Sequence, residues 1–344
     1  MNEDGERRER NMTRLVQIQK GTVRRIALVE EPQLRLLDGC RSVYELARAA
    51  LADAMMLGDA ARQRATTELL DYDQVYGAHS EWRLLPPIDH PDDPSRCLIS
   101  GTGLTHLGSA QGRQSMHAAA TQDLTDSMKM FRWGIEGGRP APGVIGTPPE
   151  WFHKGTGTAL RAHREALEIP SYAEDGGEEA EIAGVYLIAA NAQPCRIGMA
   201  GGNEFSDHQF EKKNYLNLAG SKLCNCALGP ELAIDPQFAS VGVDVAIERS
   251  GGVLWSKSFR TGEAAMSHSL QNIEHHHFKF DAHRRPGDIH VHFFGTDCLS
   301  FSDGVRLQDG DIMQATFEGF GRALRNPVRR LGSASRLVSV IPLG

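Results

Sequence analysis

The chain has 344 residues, with 37 Lys+Arg against 44 Asp+Glu and a net charge of −7. At about 150 residues per domain that length suggests one large domain or two smaller ones, and 40% hydrophobic with 24% charged residues is the balance of a folded globular chain, not a disordered one. The acidic balance excludes a nucleic-acid binder and disfavours an anionic membrane surface as partner, because neutralising phosphates needs a basic face. The surplus carboxylates either keep the surface soluble or gather around a cation.

Residues 1–11 are charged throughout and lack the apolar core of a signal peptide, so a disordered extension is expected there. Residues 12–95 read as a small N-terminal domain. Within it, residues 13–35 alternate apolar and polar positions as short strands do, and Ser42 to Leu70 carries helical spacing at Val43, Leu46, Ala47, Ala50 and Leu51. LLPPIDHPDDPSR, with four prolines, reads as a linker that places a boundary near Asp93 to Arg96. Residues 96–344 are Gly-rich with short β-like runs (VIGTPPEWFHK, EIAGVYLIAA, VGVDVAIER, GDIHVHFFG, DIMQATFEGFG) and one helix around Gly262 to His277. The fold class this predicts is α+β, a β-rich second domain behind a smaller first one. No stretch reaches the roughly 18 to 20 apolar residues that span a bilayer. Cys40, Cys97, Cys195, Cys224, Cys226 and Cys298 make no disulfide framework, and a cytoplasmic protein with reduced cysteines is expected.

The carboxylates concentrate at GGEEAEIAGVYLI. In a strand, residues i and i+2 face one side, so Glu179 and Glu181 point together. Two such carboxylates repel unless a cation or proton lies between them, and hard oxygen donors suit magnesium, calcium or manganese. A solvated strand edge is the bland alternative; the apolar Ile182, Val185, Leu187 and Ile188 favour a buried site. Further on, Lys222 sits among small and apolar neighbours, as a tuned base or as one half of a structural ion pair. Upstream, Glu150 follows two stiffening prolines, and the hydroxyls of Thr156 and Thr158 are placed to bind a carboxylate.

Taken together, these motifs resemble the fumarylacetoacetate hydrolase superfamily. PPEWFHKGTGT looks like its P-x-x-F-x-K motif, Glu179-Ala180-Glu181 like its E-x-E metal motif, and GGNEFSD like its N-D-x-S loop. SKLCNCALGP is similar to the element carrying an active-site lysine, and residues 293–328 resemble the closing G-T-P, L-x-x-GD and E-G-x-G-x-x-x-N series. The resemblance spans Leu98 to Val328 in order. It implies a mixed β roll with a smaller N-terminal domain, a homodimer or higher homo-oligomer, and a magnesium ion (manganese or calcium as alternatives) held by Glu179, Glu181 and Glu204. Glu204 stands where Asp is usual.

Two departures bear on the chemistry. The hydrolases of the superfamily carry a His and a Glu that activate water; here Ser109 and Gly112 fall at those positions, with His106 as a possible substitute one turn earlier. Glu150, in contrast, resembles a catalytic glutamate of the superfamily's 2-keto-3-deoxy sugar-acid dehydratases, and separations of 29 residues to Glu179 and of 18 from Glu204 to Lys222 look like theirs. The implied function is a magnesium-dependent dehydratase acting on a small-molecule 2-keto acid, with Glu150 and Lys222 as the acid–base pair. Thr158, Thr296 and His106 are expected to bind substrate, and Ser109, Arg113 and the segment to His117 to form a lid. The alternatives are a carbon–carbon hydrolase of a 2,4-diketo acid and a non-catalytic metal-binding β protein using His275 to His277 with His290 and His292.

Overall fold

The structure, a computed structural model, describes residues 12–117, 125–332 and 337–344. The extension expected at residues 1–11 lies outside them, as do the side chains of Arg113 and Ser115 to His117 of the expected lid. Two mixed sheets organise the chain. The larger, of 13 strands, runs Ala65–Asp71, Gln33–Leu37, Val23–Glu30, Arg14–Lys20, Leu232–Ala233, Pro194–Asn203, Ala180–Ile188, Ile289–Phe293, Cys97–Gly103 and Glu150–Thr156, with short strands branching from it. The smaller, of 5 strands, runs Gly252–Thr261, Val241–Arg249, Ile312–Phe317, Leu324–Arg330 and Leu167–Ile169.

The strand patterns follow position in these sheets. Ala180–Ile188 lies between two strands and is buried at every residue, which is why AEIAGVYLI reads as one apolar run interrupted only by Glu181. Val241–Arg249 alternates buried and half-exposed positions, as a strand with one covered face does. Leu15, Ile26 and Val43 pack in one core with Val185, Leu187 and Val291, so residues 12–95 share both sheet and core with the rest. A second core lies between the sheets, where Ile182 and Met199 meet Val243, Val245 and Phe317.

The helical elements differ from expectation in three places. The helical spacing from Ser42 gives Val43–Ala52, capped by the Ser42 hydroxyl on the Glu45 N–H (3.2 Å), and then a second helix, Leu57–Gln63. Residues Ala65–Asp71 form a strand, because β-branched Thr66 and Thr67 and the open edge of Gln33–Leu37 outweigh the helix-forming Glu68, Leu69 and Leu70. The helix expected from Gly262 starts only at Leu270: Gly262 has φ +98°, which ends the preceding strand, and the Ser269 hydroxyl caps Leu270–Phe278 through the Asn272 N–H (3.2 Å). Leu107–His117 and Asp126–Gly137 are helices without an expectation; the Gly- and polar-rich LGSAQGRQSMH carries no apolar stripe to announce the first. No helix among the described residues is long and apolar enough to cross a membrane.

Candidate active site

Strand register builds the centre. Ala180 pairs with Asn203 and Glu181 with Gly202, and the Glu204 N–H donates to the Glu179 carbonyl (2.9 Å), which carries the pairing one step further to Glu179 and Glu204. Glu179 and Glu181 therefore share a face by the two-residue period, and Glu204 joins it as the cross-strand neighbour. Their carboxylate oxygens lie within 4.8 Å of one another, and all three residues are buried. The Gly295 N–H donates to Glu181 Oε2 (2.7 Å). Glycine is required there: φ is +91°, and a Cβ would stand 2.1 Å from the Thr105 hydroxyl.

Cationic groups close in from the other side. Lys222 Nζ donates to Glu179 Oε1 and to Glu204 Oε2, both at 2.5 Å. Lys154 Nζ lies 2.7 Å from Glu204 Oε1 and also donates to the backbone carbonyls of Phe205 and Lys222. His208 Nε2 is 3.0 Å from Glu179 Oε1. These neighbours divide the three glutamates. Burial pushes the Glu179 carboxyl up, but Lys222 and His208 overcome it and hold the group well below its ordinary range. Burial, with repulsion from Glu179 and Glu204, drives Glu181 well above its range, and burial also raises Glu204 against the pull of Lys154 and Lys222. Lys222 is held as an ammonium, since the two glutamates outweigh the burial that would neutralise it.

Three carboxylates thus face two ammoniums, and among the described residues Glu181 receives only a backbone N–H. A buried carboxylate repelled by two others is the environment that a hard divalent cation resolves, and an all-oxygen donor set within 4.8 Å fits magnesium, manganese or calcium.

Glu150 reaches the same region from the strand Glu150–Thr156. Glu150, Phe152 and Lys154 are its buried positions and alternate with exposed Trp151 and His153, so the three share a face. That face looks onto the centre: Lys154 touches Glu204, and the Lys222 ammonium lies 4.7 Å from the centre of the Phe152 ring. Glu150 pairs with Gly103, which lines the narrow cavity at the carboxylates (about 20 Å³). A Cβ on Gly103 would stand 1.8 Å from Glu150 Oε2, so the glycine opens the space that the carboxylate fills. The Tyr215 hydroxyl donates to Glu150 Oε1 (2.9 Å).

Of the other residues singled out in the sequence, Thr296 and Ser109 line the cavity. Thr158 does not: it is exposed in a 3-10 turn beyond the strand, its hydroxyl 3.1 Å from that of Thr156. His106 is buried with Nδ1 against Thr105 and Nε2 against Thr261, off the cavity wall, and burial lowers its pKa to about 4. The structure adds Lys154, His208, Glu211 and Tyr215. Lys154 was visible as the last residue of the P-x-x-F-x-K motif; the other three sit on a short polar stretch, 208–217, without a pattern that marks them.

Two mixed sheets, the larger of which carries a buried carboxylate–lysine centre, define a β-rich α+β fold. Among solved structures, one of 2-keto-3-deoxyarabinonate dehydratase matches with a TM-score of 0.70 and 20% identity, over 93% of this chain and 100% of that one. A 2-keto-3-deoxy-D-arabinonate dehydratase complexed with magnesium and 2,5-dioxopentanoate matches at 0.69 and 20% over the same shares. A 2-hydroxyhepta-2,4-diene-1,7-dioate isomerase from Mycobacterium marinum follows at 0.57 and 18%, again over 93% and 100%. No family model and no curated protein matches the sequence. The likeness is therefore one of fold, and it agrees with the resemblance to the fumarylacetoacetate hydrolase superfamily and its sugar-acid dehydratases that the motifs carry.

Proposed function

We propose that this protein is a divalent-cation-dependent hydro-lyase that converts a 2-keto-3-deoxypentonate to 2,5-dioxopentanoate in non-phosphorylative pentose catabolism. The observation that carries the reading is the position of Glu150: a buried carboxylate against Gly103, which lines the cavity at the glutamates, on the strand face that also presents Lys154 to Glu204. The fold shared with the dehydratase solved with magnesium and 2,5-dioxopentanoate supports it.

Glu179, Glu181 and Glu204 would hold the cation, magnesium in the first place. When bound, it supplies Lewis-acid polarisation of the 2-keto oxygen of the substrate. Thr296, on the cavity wall, is placed to take the substrate carboxylate. Glu150 and Lys222 form the acid–base pair: the Glu150 carboxylate accepts the carbon 3 proton and passes it to the carbon 4 hydroxyl, which leaves as water, while the Lys222 ammonium would stabilise the negative charge that develops on the 2-keto oxygen. The C3–H and C4–O bonds break as the C3–C4 double bond forms, and tautomerisation of the unsaturated alcohol yields the aldehyde. Tyr215 orients the Glu150 carboxylate for this exchange. In Glu150→Gln, turnover is expected to fall by about 10²- to 10⁴-fold while the cation still binds; near-normal turnover in that variant rejects the assignment.

A second reading, hydrolysis of a 2,4-diketo acid to pyruvate and a second acid, draws support from His208 and Glu211. Both line the cavity and so offer a His–carboxylate set although Ser109 and Gly112 stand at the hydrolase dyad positions. Proton NMR of the products separates the two: one aldehyde from dehydration, two acids from hydrolysis.

A further inference from the structure

Elimination of water does not complete the chemistry. Loss of the carbon 3 proton and the carbon 4 hydroxyl leaves 5-hydroxy-2-oxopent-3-enoate, an enone with an alcohol at carbon 5. Its isomerisation to 2,5-dioxopentanoate breaks a C–H bond at carbon 5 and forms new ones at carbons 3 and 4. The carbon 5 proton is acidic because its electron pair can pass along the C3–C4 double bond into the 2-keto group, but a positioned base has to take it. Nothing in the transfers assigned to Glu150 and Lys222 does so.

The short helix His208–Lys213 offers a group for this step. A helix on a protein surface ordinarily turns apolar residues inward. Here the buried positions are His208 and Glu211, three apart and so on one face, while Phe210 is half-buried and Lys212 and Lys213 are exposed. Asp207 fixes the turn into the helix: one carboxylate oxygen accepts the Phe210 N–H (3.0 Å) and the other the Glu174 N–H (2.8 Å). Glu211 is thereby held on the wall of the cavity at the glutamates, 3% exposed. Of the acidic residues on that wall, Glu179 and Glu181 belong to the cation set, which leaves Glu211. A carboxylate is costly to bury, and charge balance does not account for this one. Lys222 already meets Glu179 and Glu204 at 2.5 Å each, and Glu211 only adds to their pull on its ammonium.

We propose that Glu211 is the catalytic base of the isomerisation: its carboxylate takes the carbon 5 proton of the enone and returns it to carbon 3. As the C5–H bond breaks, its electron pair forms a C4–C5 double bond, and the pair of the C3–C4 bond takes up the proton at carbon 3. In the enol that results, the carbon 5 hydroxyl gives up its proton as carbon 4 gains one, and the aldehyde forms. Reactant and product are isomers, so the step needs no oxidant and no co-reactant. The inference rests on the dehydratase reading and assigns the half of its chemistry that Glu150 and Lys222 leave open.

The test is the ratio of enone to aldehyde, followed by proton NMR through the olefinic signals of the enone. The full-length protein, Glu211→Gln and Glu211→Asp are each incubated with magnesium and 2-keto-3-deoxy-D-arabinonate. The unsubstituted protein is expected to give aldehyde with little enone. In Glu211→Gln the ratio should rise by about 10²-fold or more, the scale on which a positioned base acts, and Glu211→Asp should fall between the two. Because it is a ratio, the readout does not depend on how much of each variant folds. A residue that only balanced Lys222 would slow consumption of the acid and formation of the aldehyde together. Absence of enone from both variants therefore overturns the assignment. So does enone that turns into aldehyde equally fast once the unsubstituted protein has been filtered out. If the unsubstituted protein consumes none of the acid, it is the dehydratase reading that fails.

Discussion

Two buried polar clusters lie on neighbouring strands of the larger sheet, and they have opposite electrostatics. The glutamates at one end of Ala180–Ile188 are held by ammoniums, with Glu181 repelled by its two neighbours. On the adjoining strand Ile289–Phe293, His290 and His292 belong to a neutral network. The Trp151 N–H donates to His277 Nδ1 (3.1 Å), so the His277 Nε2–H donates to His290 Nδ1 (2.9 Å), while His292 lies between the hydroxyls of Ser100 and Thr102 at 2.8 and 2.7 Å. Burial lowers both His290 and His292 to about 3. Equal burial thus gives ions where opposite charges converge and neutral rings where only dipoles do. Only the first arrangement leaves a charge for a cation to balance, and among the described residues it is the glutamates whose donor atoms converge as a metal-binding group.

Breaking each cluster in turn tests that contrast. The largest effect is expected on cation binding: Glu179→Ala abolishes binding of manganese followed by electron paramagnetic resonance, and His290→Ala leaves it intact. The reverse result assigns the metal to the histidines. Next, Lys154→Met removes a fully buried partner of Glu204 and should cost roughly 3–5 kcal/mol of stability, read from urea midpoints.

The neutral histidines make a smaller, pH-dependent contribution. His106, His163 and His268 are lowered to about 4 by burial, and His290 and His292 to about 3, so below about pH 6.5 the unfolded chain binds protons that the folded chain refuses. Stability should therefore decline as pH falls from about 6.5, by at most about 1.4 kcal/mol per pH unit for each histidine, and His292→Asn should flatten the slope. An unchanged urea midpoint between pH 7 and 5.5 contradicts this. The smallest effect is expected from Tyr215→Phe, which removes one hydrogen bond to Glu150 and should lower kcat by about three- to tenfold with KM little changed.

The same contrast explains what the sequence reveals. Glu179 and Glu181 are legible because a two-residue period inside an apolar strand is a local property, and Glu150, Glu204 and Lys222 because they stand in ordered motifs. Lys154 shows its role only when its strand face is set against Glu204. His208, Glu211 and Tyr215 depend wholly on how one short segment folds over the centre. The strands of residues 13–35 and the buried 180–188 strand follow from pattern alone. Ala65–Asp71 becomes a strand because an open edge elsewhere in the chain accepts it, which no local window contains. The histidines are conspicuous in the sequence for their number, and in the structure His290 Nδ1 is taken by His277 and both nitrogens of His292 by the hydroxyls of Ser100 and Thr102.

The central claim is that the glutamate centre serves dehydration. Its most direct test is NMR of 2-keto-3-deoxy-D-arabinonate incubated with the purified protein and magnesium. The expected result is 2,5-dioxopentanoate as the single organic product, lost when magnesium is chelated. No conversion of that acid, with cleavage of a 2,4-diketo acid to pyruvate by the same preparation, would contradict it.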